Sequence, residues 1–156
     1  MKNTILFLCF VLLIGCKSKP VVVIPVAVEY IKVSLSEVDA YQKKKAYDLG
    51  KRVLMICNTS KFIPFKESEA TPSVIKNTTL EKHSEICLKF RTRYGSFKDI
   101  KLVEIYKNTA DNEILFRYKA LYERINANKE LRVTLNQEHK VSSIKTMDWS
   151  ASFQYK

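Results

Sequence analysis

The chain has 156 residues, 46% hydrophobic and 28% charged, with 27 Lys and Arg against 16 Asp and Glu for a net charge of +11. That length holds one domain with its own core and little beyond it. Only three glycines occur, which leaves no glycine-rich phosphate loop; zinc-finger spacing and the aromatic-glycine signature of RNA-binding modules are also missing, so the basic balance does not mark a nucleic-acid binder.

At the start, Lys2 precedes an apolar run from Ile5 to Ile14, and small Gly15 sits before Cys16. A charged start, a short apolar middle and a small residue at the cut form the pattern of a secretory signal. The run is too short for a membrane-spanning helix, which needs about 20 apolar residues. The ending Leu13-Ile14-Gly15-Cys16 resembles the lipobox of bacterial lipoproteins. That resemblance implies a signal peptide over residues 1–15, cleavage before Cys16 and a diacylglyceryl thioether, of palmitate type, on its sulfur. It also implies a domain held outside the cytoplasm, on the periplasmic side of a bacterial envelope, where nucleic acid is rarely met. Two or three acyl chains anchor a protein stably, whereas one holds it marginally at about 0.8 kcal/mol per buried methylene. The alternative is a eukaryotic signal peptide with an incidental cysteine, for which Asn58-Thr59-Ser60 and Asn77-Thr78-Thr79 are glycosylation acceptors.

Removing residues 1–15 leaves 141 residues and takes away only Lys2, so 26 basic residues face 16 acidic ones, a balance of +10. Lys17-Ser18-Lys19-Pro20 reads as a polar tether. It runs into an unusually apolar stretch, Val21 to Val33, broken by Pro25. Proline argues against a central strand, so this stretch is an edge strand or an extended arm. Ser36 is a good helix N-cap, with Glu37 and Asp39 placing negative charge in the first turn. Val38, Tyr41, Leu49, Val53 and Ile56 recur near helical spacing through Cys57, with Lys43–Lys45 turned to water. Asn58 to Ser73 reads as a loop with Phe62, Ile63 and Phe65 tucked on the core. Thr78 and Glu81 form a capping box. Leu80, His83, Cys87, Phe90 and Tyr94 then draw one apolar stripe down a second helix, which Gly95 ends.

From Phe97 the pattern changes to strands. Phe97 to Tyr106 is rich in Ile, Leu and Val, and the polar loop Lys107–Asn112 leads to Glu113–Glu123, where Phe116, Tyr118, Ala120 and Tyr122 share one face. Asn126–Lys129 turns the chain into Leu131, Val133 and Leu135, and Gln137–Lys140 turns it again into Val141–Trp149. Short loops between four strands predict an antiparallel meander. Two amphipathic helices ahead of it predict an α+β domain over residues 36–149, helices packed on one face of a sheet of about four strands. Residues 16–35 form the lipidated cysteine, tether and arm; residues 150–156 are a frayed or capping tail.

The stretch Tyr41–Trp149 resembles the cystatin-like cone fold of nuclear transport factor 2-like proteins, especially small bacterial domains of that group. The resemblance rests on the long first helix, the helix Thr79–Tyr94 closed by Gly95, Phe116-Arg117-Tyr118-Lys119-Ala120, Leu131-Arg132-Val133 and Lys140-Val141-Ser142-Ser143-Ile144. It implies a curved sheet enclosing a cavity, and a superfamily that includes isomerases and dehydratases. It further implies a sheet surface that serves dimerisation in many members.

Cys57 and Cys87 remain after cleavage, since Cys16 is taken by lipid. A compartment outside the cytoplasm permits a disulfide between them, and closing a loop of about 30 residues contributes on the order of 3 to 4 kcal/mol. The competing reading is two free thiols packed as small hydrophobes on apolar helix positions. His83, Cys87 and Cys57 offer at most three zinc ligands, while the only other histidine, His139, falls in a turn, so no metal site is expected. Arg91, one turn past Cys87, is the only basic neighbour that favours a reactive thiol.

A pocket enzyme needs an acid or base of tuned pKa inside the cone. His83, Glu104, Glu123 and Asp148 are the candidates, with His83 and Asp148 the foremost, but no His–Asp pair stands at a recognisable spacing. Phe116, Tyr118 and Tyr122 could line a ligand pocket or simply face a half-buried sheet. The basic clusters Lys43–Lys45, Lys51-Arg52, Arg91 and Arg93, Lys98 and Lys101, and Arg117 and Lys119 read as solvated faces. Their alternative role, attraction to an anionic surface, contributes about 1 kcal/mol per well-placed cation and is salt-sensitive. No cofactor is implied. The expectation is a lipid-anchored envelope protein working as a non-catalytic binding or assembly module, with a protein partner, a small apolar ligand or a second copy of itself. The alternative is a small isomerase or hydro-lyase.

Overall fold

The structure is a computed structural model that describes residues 29–124 and 129–155. The lipobox with Cys16, the tether and the turn at 125–128 lie outside the described residues. The elements run β1 (Tyr30–Val33), α1 (Ala40–Thr59), α2 (Pro72–Asn77), α3 (Leu80–Tyr94), β2 (Phe97–Asn108), β3 (Ile114–Tyr122), β4 (Lys129–Leu135) and β5 (Val141–Asp148). The strands form one open antiparallel sheet in the order β1-β2-β3-β4-β5. This is the α+β meander expected, with five strands rather than about four. The extra one is the end of the apolar arm, β1, which pairs with β2 at the sheet edge with Tyr30 opposite Asn108.

Local chemistry moves both main helix starts. The first begins at Ala40 rather than after Ser36, because the Asp39 carboxylate accepts hydrogen bonds from the Tyr41 and Gln42 N–H groups. Ser36 spends its hydroxyl on Ser34 instead. The second begins one residue later than the capping box predicts, with Thr79 accepting from the Lys82 N–H. The segment read as a loop to Ser73 contains the one-and-a-half-turn helix α2, started by Pro72 at a position where its missing N–H costs nothing. Gly95 ends α3 at φ +75°, a conformation that favours glycine, and its N–H bonds the Arg91 carbonyl.

The helix α1 lies directly across the middle of the sheet. A Cβ on Gly50 would stand 2.9 Å from Leu131 Cδ2 and from Val133 Cγ2, so glycine permits the close approach. The core beneath it joins Leu49, Val53 and Leu54 to Ile100, Phe116, Tyr118, Ala120, Leu131, Val133 and Leu135, as the strand alternation predicts. Two of the residues assigned to the helical apolar stripes face outward: Tyr41 and Leu80 are exposed. The loop ahead of α2 is tied to the start of β5 through Thr71 N–H to the Val141 carbonyl and Val141 N–H to the Glu69 carbonyl. A bidentate Arg52–Glu69 pair, at 3.1 and 2.8 Å, fixes the same loop to α1.

The other face of the sheet is covered as well, and this overturns the reading of Arg117 as part of a solvated face. Arg117 is fully buried, as is Glu130, and Arg132 nearly so. Alternation along β3 and β4 sends these side chains away from the helices. The tail after β5 folds back over them, so it caps rather than frays. Trp149 stacks on the Arg117 guanidinium at 4.4 Å and Phe153 on that of Arg132 at 4.6 Å. Phe153 also stacks on Tyr106, ring centres 3.9 Å apart, and Tyr155 on Tyr30 at 4.4 Å. Covered on both faces, β4 is buried at every residue from Glu130 to Leu135.

Candidate functional site

The cavity of interest lies where α3 crosses the end of the sheet. α3 is joined to α1 by a disulfide between Cys57 and Cys87, with Cα atoms 4.8 Å apart. Free, metal-binding or nucleophilic roles for the two sulfurs are thereby excluded in this state. The disulfide forms because both cysteines sit on the facing sides of the two helices, where the apolar stripes already placed them. Beside it runs a slot of about 170 Å³ whose apolar walls are Val53 and Leu54 of α1, Ile86 and Phe90 of α3, Phe97 of β2 and Tyr122 of β3. Its polar margin is His83, Asn58, Arg91 and Thr146. The base is rigid. Phe90, Tyr94, Phe97 and Tyr122 form an aromatic cluster with centroid separations of 5.3 to 6.2 Å.

Asn58 does not offer its amide to a ligand. Its Nδ2 donates to the Phe97 carbonyl at 2.6 Å and its Oδ1 accepts from the Phe97 N–H at 2.9 Å, which stitches the end of α1 to the start of β2. The same bonds occupy the first of the two glycosylation sequons. His83 is half-buried beside Phe62, with ring centres 6.3 Å apart. Burial pushes its imidazole below the ordinary histidine range, so it is neutral at pH 7. Among the described residues its side chain has no hydrogen-bond partner to orient it.

The remaining catalytic candidates are dispersed. Asp148 stands on the surface in an ion pair with Lys129 at 2.6 Å. Glu123 accepts the Ser96 N–H at 3.1 Å, closing the turn after α3. Glu104 points to the opposite face of the sheet. There Lys32 Nζ reaches it at 2.8 Å, Arg117 at 2.6 Å and the Tyr106 hydroxyl at 3.0 Å. Burial raises the Glu104 pKa, but these three donors together outweigh it and hold the carboxyl at about 2. No pair of these groups meets in one cavity. Of the three aromatic pocket candidates, only Tyr122 lines the slot; Phe116 and Tyr118 are core residues under α1. The Tyr118 hydroxyl is buried without a partner among the described residues, and burial raises its pKa.

Sequence reasoning missed the charged cluster on the outer face. Glu104, Arg117, Arg132 and Lys145 stand opposite one another in a row across β2 to β5. Glu130, two residues from Arg132 on the same face of β4, accepts from Arg117 Nε at 2.8 Å and from Arg132 Nε, while Arg117 also donates to the Ser150 carbonyl of the tail. A usable signal existed. Trp149, Phe153 and Tyr155 put three aromatics into the eight residues 149–156 that follow β5, too many for a segment left in water.

Among the described residues no helix is long and apolar enough to cross a membrane. No family model, no curated protein and no solved structure matches this chain. The class of protein is therefore defined by its own geometry: an α+β domain with a five-stranded antiparallel sheet and an apolar slot under a disulfide-linked helix.

Proposed function

We propose that this protein is a bacterial envelope lipoprotein, anchored through lipid on Cys16, whose domain is a non-catalytic binding module of cystatin-like cone architecture with the α1–α3 slot as its ligand site. The observation that carries the reading is the slot itself, walled by aliphatic and aromatic side chains with no Asp or Glu among the described residues that line it. Ligand pockets are mostly apolar with a few polar groups at fixed places. A proton-transfer enzyme needs an acid or base held and oriented by a partner, and the carboxylates here are spread over the surface and the opposite face.

The position of the slot fits an anchored module. β1 enters opposite Asn108, at the far end of β2 from Phe97, roughly 35 Å away at strand spacing. The segment 17–28 reaches at most about 40 Å when extended. A segment of that reach lets the domain turn freely on its anchor, so the slot stays accessible to ligands whichever way the sheet faces. A second reading, a small isomerase or hydro-lyase, is favoured by one observation, the neutral imidazole of His83 at the slot margin.

Metabolic labelling with a fatty-acid analogue tests the anchor: wild type takes up label and Cys16→Ser does not. Labelling retained in the variant overturns the anchor. Proton-exchange turnover of a bound ligand that disappears in His83→Ala would replace the binding reading with the enzymatic one.

A further inference from the structure

We infer a second ligand site, on the opposite face of the sheet from the slot and independent of it: a polar pocket that takes a small amino acid as its zwitterion, with the carboxylate on Arg132 and the ammonium group on Glu113.

A buried cation marks the site. Arg132 is only 5% exposed. Its guanidinium is fixed from two directions, by Glu130 at Nε and by the Phe153 ring at its face. Neither of its Nη groups has a hydrogen-bond partner among the described residues. The other buried or half-buried arginines are spent: both Nη groups of Arg52 hold Glu69, and those of Arg117 hold Glu104 and the Ser150 carbonyl. A buried donor without an acceptor costs about 1–3 kcal/mol, and more when it is charged. The two free Nη groups of Arg132 open on a pocket of about 170 Å³, where a carboxylate can accept from both. The register adds donors beside them. Lys145 stands opposite Arg132 on β5, and Ser143 opposite Thr134, with both hydroxyls lining the pocket and unbonded among the described residues.

The other end of the same pocket is negative. Glu113 lies four residues before Arg117, which is opposite Arg132, so its Cα is roughly 13 Å further along the sheet. That separation keeps its carboxylate from pairing with the guanidinium, and Glu113 forms no ion pair among the described residues. Asp111 lies beside it, held by Asn108 Nδ2 at 3.1 Å. Tyr30 and Tyr155, stacked with ring centres 4.4 Å apart, wall this end. Burial, the hydrogen bond between the two phenols and the nearby Glu113 and Asp111 carboxylates raise the Tyr30 pKa, which puts both carboxylates at that wall. A simple anion would meet these carboxylates, and a simple cation would meet Arg132 and Lys145. A zwitterion answers both ends. The size agrees: a cavity of about 150 Å³ holds benzene, which has as many non-hydrogen atoms as alanine.

The test uses the unlipidated chain from residue 16 on, bearing Cys16→Ser, with the methyl chemical shifts of Leu115 and Thr134 as local reporters and titration for affinity. Probes are alanine, β-alanine and 4-aminobutyrate, with butyrate lacking the ammonium group and butylamine lacking the carboxylate. The tightest of the three amino acids binds about tenfold or more tightly than butyrate or butylamine, because each end adds a charge-assisted hydrogen bond. Glu113→Gln lowers its affinity to that of butyrate. Arg132→Lys keeps a charge beside Glu130 but loses the fork, and lowers the affinity to that of butylamine. Since Arg132 also supports the fold through Glu130, the butylamine comparison reads the same end in the native chain, whatever the stability of that variant. Butyrate binding as tightly as the best amino acid, or an unchanged affinity in Glu113→Gln, overturns the ammonium end and the zwitterion with it. Butylamine binding as tightly does the same for the carboxylate end. Absence of shifts at both reporters with every probe overturns the site and leaves the slot on the other face untouched.

Discussion

Glu130 is the residue whose loss the outer face should tolerate least. It is fully buried and accepts from both Arg117 and Arg132, themselves buried under Trp149 and Phe153. In Glu130→Gln the two guanidiniums keep only Glu104 as a carboxylate partner, and the buried cluster gains a net positive charge. Removing one member of a buried ion pair costs about 3–5 kcal/mol, because the stranded charge cannot recover its water. That is a large part of a typical domain stability of about 5–15 kcal/mol. With a urea m-value of about 2 kcal/mol/M, the unfolding midpoint falls by roughly 1.5–2.5 M. Trp149, the only tryptophan in the chain, stacks on Arg117, so its fluorescence follows unfolding at the cluster itself. The same substitution in a Phe153→Ala background supplies the control. With the tail opened, water reaches the cluster and the cost of Glu130→Gln drops toward the 0–1 kcal/mol of an exposed pair. A loss below 1 kcal/mol in the otherwise native chain would show the cluster to be hydrated and refute the sealing role of the tail.

Two more outcomes follow from single contacts. Replacing Cys57 and Cys87 together by alanine reopens a loop of 30 residues, which the chain-entropy model values at about 3.6 kcal/mol; the melting temperature should drop by roughly 10–15 °C, and a drop under 3 °C would mean that packing alone holds α3. Acid unfolding should report Glu104. Its carboxyl is held at about 2 in the fold against an ordinary 4.5, so its contribution is complete above about pH 4.5 and is lost as pH falls toward 2, on the order of 3 kcal/mol. Glu104→Gln should flatten the stability profile over that window, and an unchanged slope between pH 4.5 and 2 would assign the loss to other carboxylates.

Much of the frame was legible from local pattern. The period-2 runs at Phe116–Tyr122 and Leu131–Leu135 placed their inward faces correctly, because alternation is a property of strand geometry that no tertiary contact can alter. Gly95 was legible as a helix end for a similar reason, since few residues other than glycine accept its backbone angle. The helix starts were less so. Ser36, Asp39, Thr78 and Thr79 are all competent caps, and choosing among them depends on where the helix must lie on the sheet.

The outward positions of the same strands were misjudged. Arg117 and Lys119 have the composition of a solvated face, and only the return of the tail across β2, β3 and β4 makes Arg117 a core residue. The slot was equally out of reach, because its walls come from α1, α3, β2 and β3, and nothing in their local spacing records that these meet.

By itself, then, the sequence determined the two long helices and the four later strands, the inward faces of β3 and β4, the α+β class and the lipobox pattern at Cys16, all of which depend on neighbours a few residues apart. The tertiary structure alone decided the pairing of Cys57 with Cys87, the burial of Arg117 with Glu130, the scattering of the candidate acids and the slot between α1 and α3. Each of these depends on which distant surfaces come together, and burial and charge pairing take their energy from that meeting rather than from the residue type.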